Sequence, residues 1–310
     1  MVASGQVAII VLCRKYASGQ RVHGAAGNVT QSQFAGRSHV ILGTVEAVVN
    51  ERFLSAYSDP MDSRIIHLWT VRLVASENCF QKLQCALSRD EKDRAQAFQF
   101  DQHRRAFVVG RGLLREILGW HLGQNPGSIE FRYSSNGKPA LWNVETSELQ
   151  FNLAHSEDWA VYAIARGVEL GVDVEHVHDL PDAELIASQF FSKEECCDLV
   201  TLHPDDRREA FFNCWTRKEA YLKALGTGLS APLDRFQVSL EPGRPAKFLR
   251  LDTDKPGLSE WTLYHLTPTK GFVGALAVPV TGCHLEERKF SNGDECVEYM
   301  RFGSPQKCRT

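Results

Sequence analysis

The sequence lacks the residue spacings that mark disulfide-rich and zinc-binding proteins. Its nine cysteines are scattered through 310 residues, with no Cys-x-x-Cys pair and no finger-like Cys/His spacing. Long apolar runs are also missing: the unbroken run near the start, Val7 to Cys13, is far shorter than the roughly 20 residues that cross a bilayer, and no basic stretch precedes it. These absences predict a cytoplasmic protein with reduced thiols and no membrane partner.

Charge of one sign is not in excess. Lys and Arg number 35 and Asp and Glu 38, so the formal net charge is −3 and no global basic field predicts a nucleic-acid partner. A polyanionic ligand must therefore be bound locally. With 43% hydrophobic and 24% charged residues, the composition is that of a globular protein, and the length allows one large domain or two smaller ones.

Three common catalytic motifs are absent. There is no phosphate-binding P-loop, and Gly110-Arg111-Gly112 lies inside a predicted helix instead of following a strand as a dinucleotide fingerprint would. No Gly-x-Ser-x-Gly elbow is present, and Ser156 beside His155 has no Asp arrangement that would make it a hydrolase nucleophile. The sequence therefore argues against nucleotide-hydrolysing P-loop, dinucleotide-binding and α/β-hydrolase functions.

Hydrophobic periodicity predicts an α+β fold. A strand pattern at Ile65–Leu73 precedes a long helical stretch that begins at a Ser88/Glu91 capping box and ends near Gly119. Several short strand patterns follow, and a second long helix, from Arg208 to Leu225, is ended by Gly226. Because strand, long helix and several strands occur twice, two similar α/β halves in a pseudo-two-fold arrangement are expected, each a small, mostly antiparallel sheet with a long helix.

The predicted division has four parts. Residues 63–165 form the first half and 166–283 the second. Residues 1–62 have weak periodicity and are predicted to be a flexible or atypical extension, although an extra element docked on the body stays an alternative. Residues 284–310 are polar and are predicted to form a C-terminal tail.

Two carboxylates lie on one face of the strand pattern Leu170–Glu175. Alternation sends Leu170 and Val174 to one face and Asp173 and Glu175 to the other. Neighbouring like charges repel unless one is protonated, both are solvated, or a cation lies between them. A wet strand face and a magnesium site both remain open, since magnesium prefers oxygen ligands.

A third carboxylate lies on the apolar stripe of the second long helix. Glu219 follows Trp215 by four residues and precedes Leu222 by three. A carboxylate aimed at a core is costly unless it is paired or ligates a metal. Pairing with Lys223, one turn further on, is one interpretation. Completion of a site with Asp173 and Glu175 is the other, and it would leave Lys223 for a phosphate.

Basic groups elsewhere could bind an anionic substrate, although each alone is as typical of a solvated surface. These candidates are Arg94, Arg104, Arg105 and Arg111 on the first long helical stretch, Lys138 after the Asn136-Gly137 turn, and His155.

The motifs resemble a known family. Gly171 to Glu175, followed after a gap by Trp215 to Leu229, resembles the paired signatures of 4'-phosphopantetheinyl transferases. The similarity runs from near Ile65 to about Val280, about 70% of the chain, and matches the larger, single-chain (Sfp-type) class with two related halves. Supporting matches are Asn136 to Pro139, Phe151 to Ser156, Phe190 to Glu195 and Pro232 to Phe236.

The resemblance implies transfer of the phosphopantetheine arm of coenzyme A to a serine of an apo acyl or peptidyl carrier protein, with release of adenosine 3',5'-bisphosphate. It implies that Asp173, Glu175 and Glu219 hold magnesium, or manganese in its place, against the pyrophosphate. Glu219 would act as general base, and Lys223 would stabilise the leaving group.

Coenzyme A, the substrate, would be bound by Arg94, Lys138, His155, Lys218 and Lys223. Glu91 and Ala154 depart from the basic residue and the serine that some relatives carry there, which makes Arg111 a possible substitute for 3'-phosphate contacts. The protein is expected to be a monomer. Two other functions stay open: a non-catalytic binder of coenzyme A or carrier protein, and a metal-dependent phosphoanhydride hydrolase.

Overall fold

The computed structural model describes residues 64–142, 148–228, 232–251 and 260–302. The predicted extension 1–62 lies outside these residues. None of the helices in the described ranges is long and apolar enough to cross a membrane, and no disulfide links the cysteines found there.

The first sheet has four strands, β1 (Ile65–Arg72), β4 (Leu149–Ser156), β5 (Trp159–Arg166) and β11 (His284–Phe290). Their order in the sheet is β11-β1-β5-β4. Its neighbours β1, β5 and β4 pair antiparallel, whereas β11 runs parallel to β1.

The second sheet is antiparallel, in the order β6-β10-β9. Its strands are β6 (Gly171–His176), β9 (Thr262–Leu266) and β10 (Phe272–Val278). Two short hairpins complete the β structure and pair β2 (Phe131–Tyr133) with β3 (Pro139–Leu141), and β7 (Gln237–Val238) with β8 (Phe248–Arg250).

Two helices of 22 residues each cover the sheets. The side chains of α3 (Asp101–Leu122) share one hydrophobic cluster with the first sheet, and those of α6 (Pro204–Leu225) share another with the second sheet. The helices of the described residues are α1 (Glu77–Ala86), α2 (Arg89–Gln96), α3 (Asp101–Leu122), α4 (Ala183–Phe190), α5 (Lys193–Thr201), α6 (Pro204–Leu225) and α7 (Gly293–Phe302).

A third cluster lies where the two sheets meet. Ile66 and Leu68 of β1 contribute to it from the first sheet, and Val172 and Val174 of β6 from the second. Because side chains alternate along a strand, the opposite face of β6 carries Gly171, Asp173 and Glu175 towards α6. The α+β class is thus confirmed, with two mostly antiparallel sheets that each carry a long helix, while the proposed division between 63–165 and 166–283 stays a prediction.

The prediction of a polar tail over residues 284–310 is wrong for residues 284–302, and residues 303–310 lie outside the described residues. β11 extends the first sheet, and α7 packs against the same cluster as α3, through Cys296 and Val297. The many charges of β11 suit an edge strand, where they oppose unwanted pairing with other chains. Parallel pairing with β1, more than 200 residues earlier, leaves no local signal in the sequence.

The helical stretch after Ser88 differs from the prediction in two places. The Ser88/Glu91 capping box is confirmed, but the chain leaves the helix after Gln96 and re-enters it at Asp101. Gly119 does not end α3, which continues to Leu122 and is capped by Gly123 at φ 63°. A Cβ on Gly119 would lie 2.8 Å from the Gln124 carbonyl oxygen, so this glycine permits close packing inside the helix.

Candidate functional site

The site forms where α6 crosses β6 at very short range. A Cβ on Gly171 would lie 2.1 Å from the Ala220 carbonyl oxygen and 2.2 Å from the Ala224 nitrogen. Only a residue without a side chain allows this approach. The close crossing brings Asp173 and Glu175 of the strand against Glu219 and Lys223 of the helix.

Lys223 binds the strand and not its own helix. Its Nζ donates to Asp173 Oδ1 at 2.7 Å, and both side chains are largely buried. The interpretation that Glu219 pairs with Lys223 is therefore replaced, because Lys223 forms its ion pair with Asp173. Glu219 still lies close enough for its charge to act on Lys223.

Glu175 is held by Ser156 at the end of β4. Ser156 Oγ donates to Glu175 Oε2 at 2.9 Å and accepts from the His176 nitrogen at 3.1 Å. Both Ser156 and Glu175 are fully buried. One oxygen of Glu175 is therefore engaged by the first sheet.

Burial shifts the pKa of every carboxyl group in the site. Desolvation, with the charge of Asp173, raises the pKa of Glu175 and that of Glu219 to about 8. Burial also raises the pKa of Asp173, despite the pairing with Lys223. Desolvation alone would lower the pKa of Lys223, but the surrounding carboxylates outweigh it and raise that pKa. One lysine therefore does not neutralise three carboxylates, and the two glutamates keep their protons to a higher pH than exposed glutamates do.

Each of the three carboxylates has an oxygen without a partner. Asp173 Oδ2, Glu175 Oε1 and Glu219 Oε1 are buried and accept no hydrogen bond. Burying such an oxygen costs free energy unless a cation or a donor contacts it. Hard divalent ions bind oxygen ligands of this kind. In the described ranges, no three acidic, histidine or cysteine groups are already arranged to hold a metal ion. The oxygen donors are nevertheless of the type that magnesium prefers, and substrate oxygens and water would complete its ligand set.

Two of the predicted coenzyme A residues lie near the end of α6, His155 within reach of the charge of Lys223 and Lys138 in contact with Ala224. His155 precedes Ser156, and burial together with the charge of Lys223 lowers the pKa of His155 to about 4, so the imidazole is neutral. Lys138 Nζ donates to the Ala224 carbonyl at 3.3 Å and to Glu169 at 3.2 Å, and Asn136 donates to the Gly226 carbonyl. The Asn-Gly turn is thereby anchored on the last turn of α6.

Arg94 lies on α2, exposed, with its guanidinium 5.0 Å from the Phe107 ring centre. This contact lies away from the three carboxylates, and the role of Arg94 with coenzyme A stays a prediction. Glu91 is buried and accepts from Arg111 at 2.5 Å and from Arg115 at 2.6 Å. Arg111 also donates to the Tyr133 hydroxyl, so two of its five N–H donors are engaged in the first half.

Lys218 does not face the site, which corrects the prediction that it binds phosphate. Its side chain is 1% exposed, and its Nζ lies 2.8 Å from Glu195 Oε2 while donating to the carbonyls of Leu233 at 2.8 Å and Phe236 at 2.7 Å. A lysine ammonium has three donors, and these contacts use all of them. Adjacent residues point about 100° apart on a helix. Lys218 therefore faces the packed interior, whereas Glu219 faces the site.

Sequence reasoning gave no site role to Ser156 or Asn152. Asn152 Oδ1 accepts from the Val172 nitrogen at 2.9 Å, and with Ser156 it joins β4 to β6. Both residues belong to the motif that ends in His155-Ser156, and their polar side chains at buried strand positions were the available signal.

Comparison with known proteins matches both halves of the chain. The profile of the 4'-phosphopantetheinyl transferase superfamily matches residues 169–277, and that of the 4'-phosphopantetheinyl transferase N-terminal region matches residues 74–166. The first match contains Asp173, Glu175 and Glu219, and the second contains His155 and Ser156.

The match with this chain covers most of the length of individual relatives. The 4'-phosphopantetheinyl transferase HetI of Nostoc sp. is 40% identical over 214 residues, which are 69% of this chain and 87% of that protein. The 4'-phosphopantetheinyl transferase psf-1 of Bacillus pumilus is 30% identical over 66% of this chain and 85% of its own length. Sfp of Bacillus subtilis is 29% identical over 50% and 66%. From these matches and the shared signatures, the chain belongs to the 4'-phosphopantetheinyl transferase superfamily, in its Sfp-type class.

Proposed function

We propose that the protein transfers the 4'-phosphopantetheine arm of coenzyme A to a serine hydroxyl of an apo acyl or peptidyl carrier protein and releases adenosine 3',5'-bisphosphate. The observation that carries the proposal is the group of three buried carboxylates, each with an unpartnered oxygen, beside Lys223. A protein that only binds coenzyme A has no need of three convergent carboxylates.

The reaction needs a base, a stabiliser for the leaving group and a cation. The carrier serine oxygen attacks the phosphorus next to the pantetheine arm, and the bond from that phosphorus to the bridging oxygen breaks. Glu219 accepts the serine proton, directly or through water. Lys223 leaves Asp173 for the pyrophosphate, where its charge stabilises the departing bisphosphate. Neutral His155 and Lys138 bind the nucleotide and its phosphates.

Asp173, Glu175 and Glu219 would hold Mg²⁺, with Mn²⁺ as a substitute because it accepts the same oxygen ligands. When bound, the ion neutralises the charge that develops on the pyrophosphate. Its positive charge would also lower the pKa values of the carboxyl groups that burial raises. We further propose that the enzyme acts as a monomer in the cytoplasm.

The test is an intact-mass measurement of an apo carrier protein incubated with the enzyme, coenzyme A and magnesium. We expect a gain of one phosphopantetheine that chelation abolishes. Glu219→Gln removes the base and a metal ligand while keeping the shape of the side chain, and it should reduce transfer by at least roughly 100-fold. Glu209→Gln, on the same helix but ten residues earlier, is the matched control and should transfer normally.

Two outcomes would contradict the proposal. Release of adenosine 3',5'-bisphosphate without a carrier protein, at the rate seen with one, would indicate a phosphoanhydride hydrolase. Coenzyme A binding without any transfer, across acyl and peptidyl carriers, would indicate a binder.

A further inference from the structure

Ser156 occupies the junction between the two sheets. It is the last residue of β4 and is completely buried. Its hydroxyl donates to Glu175 Oε2 at 2.9 Å and accepts from the His176 nitrogen at 3.1 Å. One side chain of the first sheet thus binds both the side chain of Glu175 and the backbone that follows it.

No backbone ladder joins β4 to β6, which belong to different sheets within the described ranges. Side chains of β4 make the connection instead, Asn152 at the start of β6 and Ser156 near its end. Asn152 binds only backbone, at Val172, and so sets the position of the strand. Ser156 additionally binds a carboxylate of the site.

The hydrogen bond from Ser156 gives the two oxygens of Glu175 different roles. Oε2 accepts a hydrogen bond from Ser156 Oγ, whereas Oε1 is buried and without a partner. Holding one oxygen fixes the orientation of the carboxylate plane and therefore the direction of the other. Neighbouring groups that orient a metal ligand in this way typically change metal affinity 10–100-fold when removed.

We infer that Ser156 is the positioning residue of the cation site, holding Glu175 by Oε2 so that only Oε1 is presented to the divalent ion. This inference rests on the proposed function, because it takes the three carboxylates as the cation ligands. A serine that served only to join the strands would affect the free energy of unfolding and leave cation affinity unchanged.

The test measures binding of Mn²⁺ alone to the full chain by electron paramagnetic resonance, without coenzyme A. Ser156→Ala should weaken Mn²⁺ binding at least tenfold, and it should raise the magnesium concentration for half-maximal transfer by a similar factor, with most of the rate recovered at saturating magnesium. The side chain of Ser156→Cys is nearly the same size but is a weak donor, so its Mn²⁺ affinity should lie between those of Ser156→Ala and wild type. This variant takes the place of Ser156→Ala in the test if the alanine variant does not fold.

Ser192→Ala is the matched control. Ser192 is also a buried serine, and its hydroxyl accepts from the Glu195 backbone nitrogen in the capping box of α5. It should lower the unfolding temperature without changing Mn²⁺ affinity.

Asp173→Asn separates this inference from the proposal beneath it. If Asp173→Asn weakens Mn²⁺ binding while Ser156→Ala and Ser156→Cys stay within twofold of wild type, Ser156 is not a positioning residue and the metal site stands. If neither Asp173→Asn nor Glu219→Gln changes Mn²⁺ binding, the cation site itself is wrong, and the role of Ser156 is overturned with it.

Discussion

Lys223 Nζ of α6 lies 2.7 Å from Asp173 Oδ1 of β6, and this ion pair joins the helix to the strand across 50 positions of sequence. The lysine also acts on Glu175 and Glu219, so one positive charge serves three buried carboxylates. The pair therefore has two consequences: it stabilises the crossing of α6 and β6, and it leaves the site short of positive charge.

The first prediction is a strong coupling between these two residues. Lys223→Met leaves Asp173 buried without its counter-ion and should lower the free energy of unfolding by about 3 kcal/mol. Adding Asp173→Asn should restore much of the loss, with a coupling energy above about 1 kcal/mol in urea denaturation with a chelator present. The exposed pair Arg72 and Asp158 is the control and should couple by less than that. Equal coupling in both pairs would contradict the prediction.

Gly171 should tolerate no side chain. Gly171→Ala puts a Cβ onto the backbone of α6 at Ala220 and Ala224, and the helix must move away from the strand. We expect a loss of about 3 kcal/mol in unfolding free energy and a loss of transfer, since Lys223 then separates from Asp173. The measurements are denaturation and the carrier mass assay.

Gly110→Ala is the control for that substitution. Gly110 lies inside α3, and a Cβ there would meet the Leu73 side chain at an ordinary 3.5 Å. The alanine should be neutral or should stabilise the helix by up to about 1 kcal/mol. If both alanine variants behave alike, the close crossing is not what the glycine provides.

Lys218 should contribute to stability and not to coenzyme A binding. Lys218→Met removes the partner of buried Glu195 and leaves two carbonyls without a donor, so it should lower the free energy of unfolding by about 3–5 kcal/mol. At a temperature where the variant is folded, its KM for coenzyme A should equal that of wild type. A raised KM with normal stability would restore the phosphate role that the sequence suggests. The exposed Lys270→Met should change neither quantity.

The fourth prediction concerns the free energy of unfolding at low pH. Burial and the charge of Arg288 lower the pKa of His67 to about 4, although Glu286 acts in the opposite direction. The unfolded chain takes up this proton near pH 6.5, so the contribution of neutral His67 is fully present above pH 6.5 and is lost as pH falls towards 4. The loss is about 3 kcal/mol.

The check for His67 is the difference in unfolding free energy between wild type and His67→Gln, measured from pH 7.5 to pH 4. Glutamine keeps an acceptor for the Arg288 guanidinium, which lies 2.8 Å from His67 Nδ1. The difference should shrink steadily below pH 6.5 as wild type loses its advantage. A difference that is constant with pH would show that His67 titrates alike in both states.

Local patterns were enough to predict the elements that position the site. Alternation along β6 placed Asp173 and Glu175 on one face, because successive strand side chains point to opposite sides. Helical period placed Glu219 on the buried stripe of α6, and Gly226 was recognised as the helix end, where its φ is 67°. These features depend on neighbours within a few residues.

Contacts between distant segments could not be predicted in the same way. Lys218 and Lys223 lie on the same helix of the same motif, yet one is bound by Glu195 and the other by Asp173. Charge and spacing alone do not distinguish them. The polar composition of residues 284–290 likewise suits both a tail and an edge strand, and only the free edge of β1 decides between them.

The sequence by itself determined the α+β class and the faces on which the three acidic residues lie, because each follows from residue types at short spacing, and its resemblance to known signatures indicated the family. Only the tertiary structure decided which lysine faces the carboxylates, that Ser156 holds Glu175, and that β11 completes the first sheet. The physical reason is that these are pairings across the chain. Their free energy depends on burial and on the partner that packing brings within hydrogen-bond distance, and neither is encoded in the local order of residues.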